Sequence, residues 1–282
     1  GGTFAVNRIE NNTLDHNTGT GILAVTNSGV IDLGTVDNNT INRLFGGVDA
    51  VSLTGTNAGL SATFLRNRIF ADATTNLVAG DGILVASSGG TLSLVIGQDD
   101  PVFPTAPTYG NIFDGNVGAA ISVALEDNGT GSLQVRRNTV LRTTDDLDLT
   151  TIVAGEAIHV LLTRNNLSVD ATAVLTQSII EGNLIGDALD PTMANIGTGV
   201  RIVATEDTTI QDLHITNNVI SNSGVNGISV LRTDDARVVM VNPLPGQTRG
   251  ITISDNIIDA STAIGIDLVA QNAGNTQIGI EL

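Results

Sequence analysis

The sequence predicts an all-β chain wound as a right-handed parallel β-helix of about eight coils, because a unit of this size that recurs along a chain signals a solenoid. The first observation is a recurring Asn followed two residues later by an apolar residue: Asn12–Leu14, Asn39–Ile41, Asn67–Ile69, Asn111–Phe113, Asn138–Val140, Asn183–Ile185, Asn218–Ile220 and Asn256–Ile258. The second is an apolar residue three positions before the Asn: Ile9, Val36, Phe64, Val135, Ile180, Ile215 and Ile253, with Thr108 breaking the pattern before Asn111. The third is an alternating pair downstream: Ile22/Ala24, Val51/Leu53, Ile83/Val85, Ile121/Val123, Ile158/Val160, Val200/Ile202, Ile228/Val230 and Ile266/Leu268. Period-two alternation is the signature of a strand with one buried face. No stretch carries a useful helical pattern.

The clearest unit is Leu213 to Leu231, LHITNNVISNSGVNGISVL, read as two short strands joined by a polar corner. Asn tolerates the left-handed backbone and bonds nearby main chain, so it suits the corner. Stacked Asn side chains can also form an amide ladder between paired strands. One coil cannot bury its apolar face alone. Stacked coils can, at roughly 4.8 Å per step, giving a rod core about 35–40 Å long.

Taken in order, the coils at Asn12 and Asn39 are compact. The coil at Asn67 carries an insertion, Asp72 to Gly80, then an extra strand-like run, Ser93 to Ile96. A loop with Pro101, Pro104 and Pro107 follows, where proline excludes regular pairing. The coil at Asn111 is compact. Insertions follow at Thr143 to Gly155, Asp187 to Thr198 and Asp234 to Gln247. These loops are expected at two corners, before and after the G-φ-x-φ strand, flanking one face as a groove.

Composition fits a thin aliphatic core. Hydrophobic content is 41% but aromatic content only 2%. There is no Cys, which excludes a disulfide framework and thiol chemistry. The net charge is −17, and every basic residue is Arg. An acidic rod repels nucleic acid and anionic membranes, so neither is an expected partner. No apolar run is long enough to span a membrane, so no membrane insertion is expected. A single domain, 1–282, is expected. Gly1-Gly2-Thr3-Phe4 and Gln277 to Leu282 enter and leave mid-pattern, so the expectation is an internal segment of a longer protein, or a unit stacking on neighbouring copies.

The N-x-φ corner followed by G-φ-x-φ resembles the parallel β-helix repeats of bacterial extracellular proteins, in the superfamily of pectate-lyase-like folds. That superfamily also holds polygalacturonases, alginate epimerases, adhesins and tailspikes. The resemblance implies an extracellular or cell-surface location. It also implies a structural segment of a fibre, adhesin or surface-layer protein. The alternative is a carbohydrate-active enzyme (lyase, hydrolase or epimerase), or a non-catalytic binding module, for an acidic polysaccharide. The scaffold alone does not choose between them.

Between the inward residues of the G-φ-x-φ strands lies an outward column: Leu23, Ser52, Leu84, Ser122, His159, Arg201, Ser229 and Asp267. Ser122, His159, Arg201, Ser229 and Asp267 form the candidate ligand-binding groove. His serves as acid or base, and Arg holds a carboxylate bidentately, which suits a uronic-acid sugar. Asp145, Asp146 and Asp148 are candidate calcium ligands through their carboxylate oxygens, and calcium is the only cofactor considered. Gln98-Asp99-Asp100 resembles the paired-Asp motif of polygalacturonases, but the Gly-His-Gly and Arg-x-Lys motifs that accompany it are missing. Arg136, Arg137 and Arg201 are the available cationic bases for a lyase, with no defined motif around them. No catalytic residue is assigned. One further outward column is apolar: Val25, Ala86, Ala124, Leu161, Val203, Leu231 and Val269. It is expected to be buried at a bend; the alternative is a docking stripe.

Overall fold

Each turn of the chain lays down three strands, and strands of successive turns pair in parallel to build three sheets. The structure, a computed structural model, describes residues 2–42, 49–70, 80–99, 109–143, 155–164, 172–190, 195, 197–239, 250–271 and 280–281. Among these there is no α-helix. The architecture is a right-handed parallel β-helix of about eight coils.

The seventh coil shows the plan. Thr209–Thr216 lies in the first sheet, Val219–Ser221 in the second and Ile228–Thr233 in the third. The repeat therefore has three strands, where the sequence suggested two. The three-residue strand after the Asn is too short to show alternation. The run Ser93 to Ile96 belongs to an ordinary first-sheet strand, Thr91–Ile96, paired on both sides.

The inward columns form one core. Val51, Ile83, Ile121, Ile158, Val200 and Ile228 stack in register and are buried. Phe64 and Phe113 are fully buried too, so this core does admit aromatics. Gly82 makes room for one of them: a Cβ there would lie 2.7 Å from the Phe113 ring. The same logic applies to Gly227, where a Cβ would meet the Ile258 methyl at 2.4 Å. That column reads Ala50, Gly82, Ala120, Ala157, Gly199 and Gly227, because the second sheet closes against it.

The Asn column is a continuous ladder between the first and second sheets. Asn39 Nδ2 donates to Asn67 Oδ1, Asn67 to Asn111, Asn111 to Asn138, Asn138 to Asn183 and Asn183 to Asn218, at 2.9–3.0 Å. Asn12 joins one end and Asn256 the other. From Asn39 onward the second proton of Nδ2 goes to a carbonyl of the preceding coil, as from Asn111 to Phe64 at 2.9 Å, whereas Asn12 donates to Glu10 in its own coil. Each Oδ1 also accepts the backbone N–H of the preceding ladder Asn, as Asn183 does from Asn138. Buried amides are thus saturated, as burial requires.

The left-handed residue is the one before the ladder Asn. Asn11, Asn38, Arg66, Arg137, Gly182, Asn217 and Asp255 all have φ between +52° and +64°. The irregular unit at Asn111 is also explained. Ile96 fills the apolar position, pairing with Phe64 and Val135 and accepting from Asn138 Nδ2 at 2.8 Å. Residues 97–110 lie in sequence between that position and Asn111, and Thr108 lies outside the described residues.

Arginines staple neighbouring coils. Arg66 holds Asp37 with two guanidinium nitrogens, and Arg8 reaches the same carboxylate from the other side. Arg142 grips Asp114 with two nitrogens. Arg164 reaches Glu206 and Asp207. A planar fork suits such bridges better than an ammonium, which gives a physical reason for the exclusive use of Arg.

The insertions do not keep to two corners. Residues 43–48, 71–79 and 144–154 fall between second-sheet and third-sheet strands, and 165–171 between third and first. However, 100–108 falls between first and second sheets, and 240–249 interrupts the first sheet between Arg237–Val239 and Ile251–Ser254.

Candidate functional site

The outward column of the third sheet is in register from end to end. Leu23 pairs with Ser52, Ser52 with Leu84 and Leu84 with Ser122. Ser122 then pairs with His159, His159 with Arg201, Arg201 with Ser229 and Ser229 with Asp267. The structure therefore brings together all five candidate groove residues. His159, Arg201 and Asp267 are half-buried, and Ser229 is nearly covered.

A second row, two residues before each inward strand residue, runs beside this column: Asp49, Asp81, Ala119, Glu156, Thr198, Asn226 and Ile264. Backbone bonds across the preceding residues fix it, as Gly82 N–H to Ala119 O at 2.9 Å and Gly199 N–H to Asn226 O at 3.0 Å. Sequence reasoning missed this row. Its side chains reach the outward column. Arg201 Nη1 donates to Glu156 Oε1 at 2.8 Å, and the Glu156 side chain is only 1% exposed. Asn226 Nδ2 donates to Asp267 Oδ2 at 3.1 Å. Ser122 hydrogen-bonds Asp81, and Ser52 hydrogen-bonds Asp49.

Burial and neighbours set the protonation states. Burial pushes the Asp81 carboxyl up to about 7; the charges of Asp49 and Glu156 add to it, and bonds from Ala119 N–H and Ser122 oppose it. Burial also raises Asp49. His159 is held down to about 4, first by burial and then by the Arg201 charge, so its imidazole is neutral near pH 7.

The remaining candidates fall elsewhere. Asp145, Asp146 and Asp148 lie outside the described residues, as does Asp100. Asp99 is bound by Arg136 Nη1 at 3.0 Å and Arg137 Nε at 2.7 Å, so this Asp and these arginines form a clamp. Among the described residues no cluster of His, Cys, Asp or Glu is arranged to hold a metal ion. Among the described residues no helix is long and apolar enough to cross a membrane. The apolar outward column is in register and includes Thr54. It is not uniformly buried: Val203 is 7% exposed and Val25 59%.

One buried cation was not expected. Arg232 occupies an inward position at the end of Ile228–Thr233 and is 2% exposed. Its Nε donates to the Ala236 carbonyl, and so it closes the turn out of the strand.

Comparison with known protein families, with characterised proteins and with solved structures finds no match to this chain. Fold and site define its class: a parallel β-helix solenoid with a polar column along its third sheet.

Proposed function

We propose that this chain is a load-carrying segment of a bacterial extracellular fibre, adhesin or surface-layer protein, built on the pectate-lyase-like plan. The observation that supports this reading is the Asn ladder, which links the coils from Asn12 to Asn256 and is buried and saturated from Asn39 to Asn218. Its partners are further coils or neighbouring copies stacked along the rod. Antibody labelling of intact source cells, with force spectroscopy on the purified chain, tests the reading. Surface labelling with cooperative, high-force unfolding is expected. Labelling confined to the cell interior would overturn it.

The register of Ser122, His159, Arg201, Ser229 and Asp267 favours a second reading, an acidic-polysaccharide site, enzymatic or purely binding, along the third sheet. Arg201 supplies the cation for a uronate carboxylate and keeps nitrogens beyond the one given to Glu156. Binding and cleavage of uronate polymers by wild type, His159→Ala and Arg201→Ala are the measurements. Loss in both variants is expected. An inert wild type would end this reading and leave the first intact.

A further inference from the structure

We propose that Asp49 and Asp81 form a proton-operated clasp joining the second, third and fourth coils. Each carboxylate holds the next coil by its backbone. Asp49 Oδ1 accepts the N–H of Asp81 at 3.1 Å, and Asp81 Oδ1 accepts the N–H of Ala119 at 2.7 Å. The seventh coil repeats the device with a neutral side chain. Asn226 Oδ1 accepts the N–H of Ile264 at 3.2 Å, and Asn226 Nδ2 reaches Asp267 on the next coil. Asp81 likewise reaches Ser122 on the next coil. An amide is therefore sufficient for the fold at this position. The acid brings a charge that the fold does not need.

Among the described residues that charge is uncompensated. Asp49 and Asp81 are half-buried, whereas the fully buried acids have arginines: Asp37 has Arg66 and Arg8, and Glu156 has Arg201. Among the described residues no cation contacts Asp49 or Asp81. The charged and titratable groups facing Asp81 are Asp49 on the coil before and Glu156 two coils on. His159, neutral near pH 7, pairs with Ser122 beside them. Stacked acids on adjoining coils stand about one strand spacing apart, roughly 4.8 Å. Two such carboxylates cannot both ionise cheaply, and they titrate as a pair. With one proton held, the corner is closed. With that proton lost, a poorly solvated negative charge stands at the corner beside that of Asp49, and its cost outweighs the stronger N–H bond that the charged carboxylate accepts.

The sign follows from linkage. The Asp81 carboxyl binds its proton more tightly folded (about 7) than at its ordinary value of 3.8. The clasp is therefore fully effective below the ordinary value of 3.8 and is lost progressively as pH rises from there through about 7. It makes the early coils stiffer in acid than in alkali.

Asp81→Asn in the full chain tests the clasp by thermal melting beside wild type at about pH 3, below the ordinary carboxyl value, and about pH 8. Comparison at each pH cancels contributions from other groups. The variant is expected to melt a few degrees above wild type at the higher pH and to match it at the lower. An equal shift at both values, or a lower melting point at the higher pH, would overturn the proposal. Titration of wild-type Asp carboxyl carbons by NMR decides the matter even if the variant does not fold. A midpoint near 7 for Asp81 is expected, and an ordinary carboxylate midpoint overturns it.

Discussion

Asn183 Oδ1 accepts two protons from Asn138, one from the backbone N–H and one from Nδ2, each at 3.0 Å. One oxygen thereby fixes both the main chain and the side chain of the coil before it. Asn138 in turn serves Asn111 in the same way, at 3.0 and 2.9 Å.

Asn138→Ala should therefore cost more than one ordinary hydrogen bond. It removes the acceptor of the Asn111 N–H and of one Asn111 Nδ2 proton, and the Asn138 donor to the Ile96 carbonyl, all in the interior. At about 1–3 kcal/mol per buried unsatisfied group, the loss should be about 3–5 kcal/mol with partial relaxation. Chemical denaturation measures it. A loss under about 1 kcal/mol, the size of one ordinary bond, would show that the ladder contributes little.

Ile228→Asp should prevent folding. Ile228 is fully buried and stacks between Val200 and Ile266. A carboxylate there has no cation and no hydrogen-bond donors, and an uncompensated buried charge costs several kcal/mol. A soluble variant melting at the wild-type temperature would contradict the register described above.

Arg201→Ala should destabilise, by up to about 3 kcal/mol, because it removes a cation from the buried Glu156 carboxylate. Adding Glu156→Gln should restore much of that loss. A double variant no more stable than Arg201→Ala would show that the pair is not coupled. This comparison also matters for glycan assays, since loss of activity in Arg201→Ala must be separated from loss of structure.

His159 predicts a pH dependence opposite to that of Asp81. Its folded value, about 4, lies below its ordinary 6.5. Its contribution is therefore fully present above 6.5 and is lost as pH falls through 4. His159→Asn should flatten the acid side of the stability profile. An unchanged profile between about pH 4 and 6.5 would show that His159 is not buried neutral. In wild type the two residues partly offset each other across this window.

The fold was legible because its period is carried by residues with a single role. A recurring Asn and an alternating apolar pair, ten residues apart in four of the eight units, leave few alternatives, so the column from Ser122 to Asp267 could be placed correctly. The row Asp49, Asp81, Glu156 and Asn226 was not legible. It sits at a corner, where alternation stops predicting side-chain direction, and its members share position but not residue type. Arg232 was hidden for a related reason. Period two points it inward, while its charge argues outward, and backbone carbonyls such as that of Ala236 let the buried guanidinium stay. Arg136 and Arg137 read as free cations because their partner, Asp99, lies far back in the chain.

The amide column gives the rod a direction. Every Nδ2 from Asn12 to Asn218 points toward later coils, and every Oδ1 from Asn39 to Asn256 faces earlier ones. Such aligned amide dipoles add head to tail, as they do along a helix. Partial positive charge gathers at the Asn256 end and partial negative charge at the Asn12 end. A coil stacked beyond Asn256 would have to offer an acceptor, and one stacked before Asn12 a donor. The molecule is thus polar along its length in the sense that a filament is polar, and growth at its two faces would be chemically unequal.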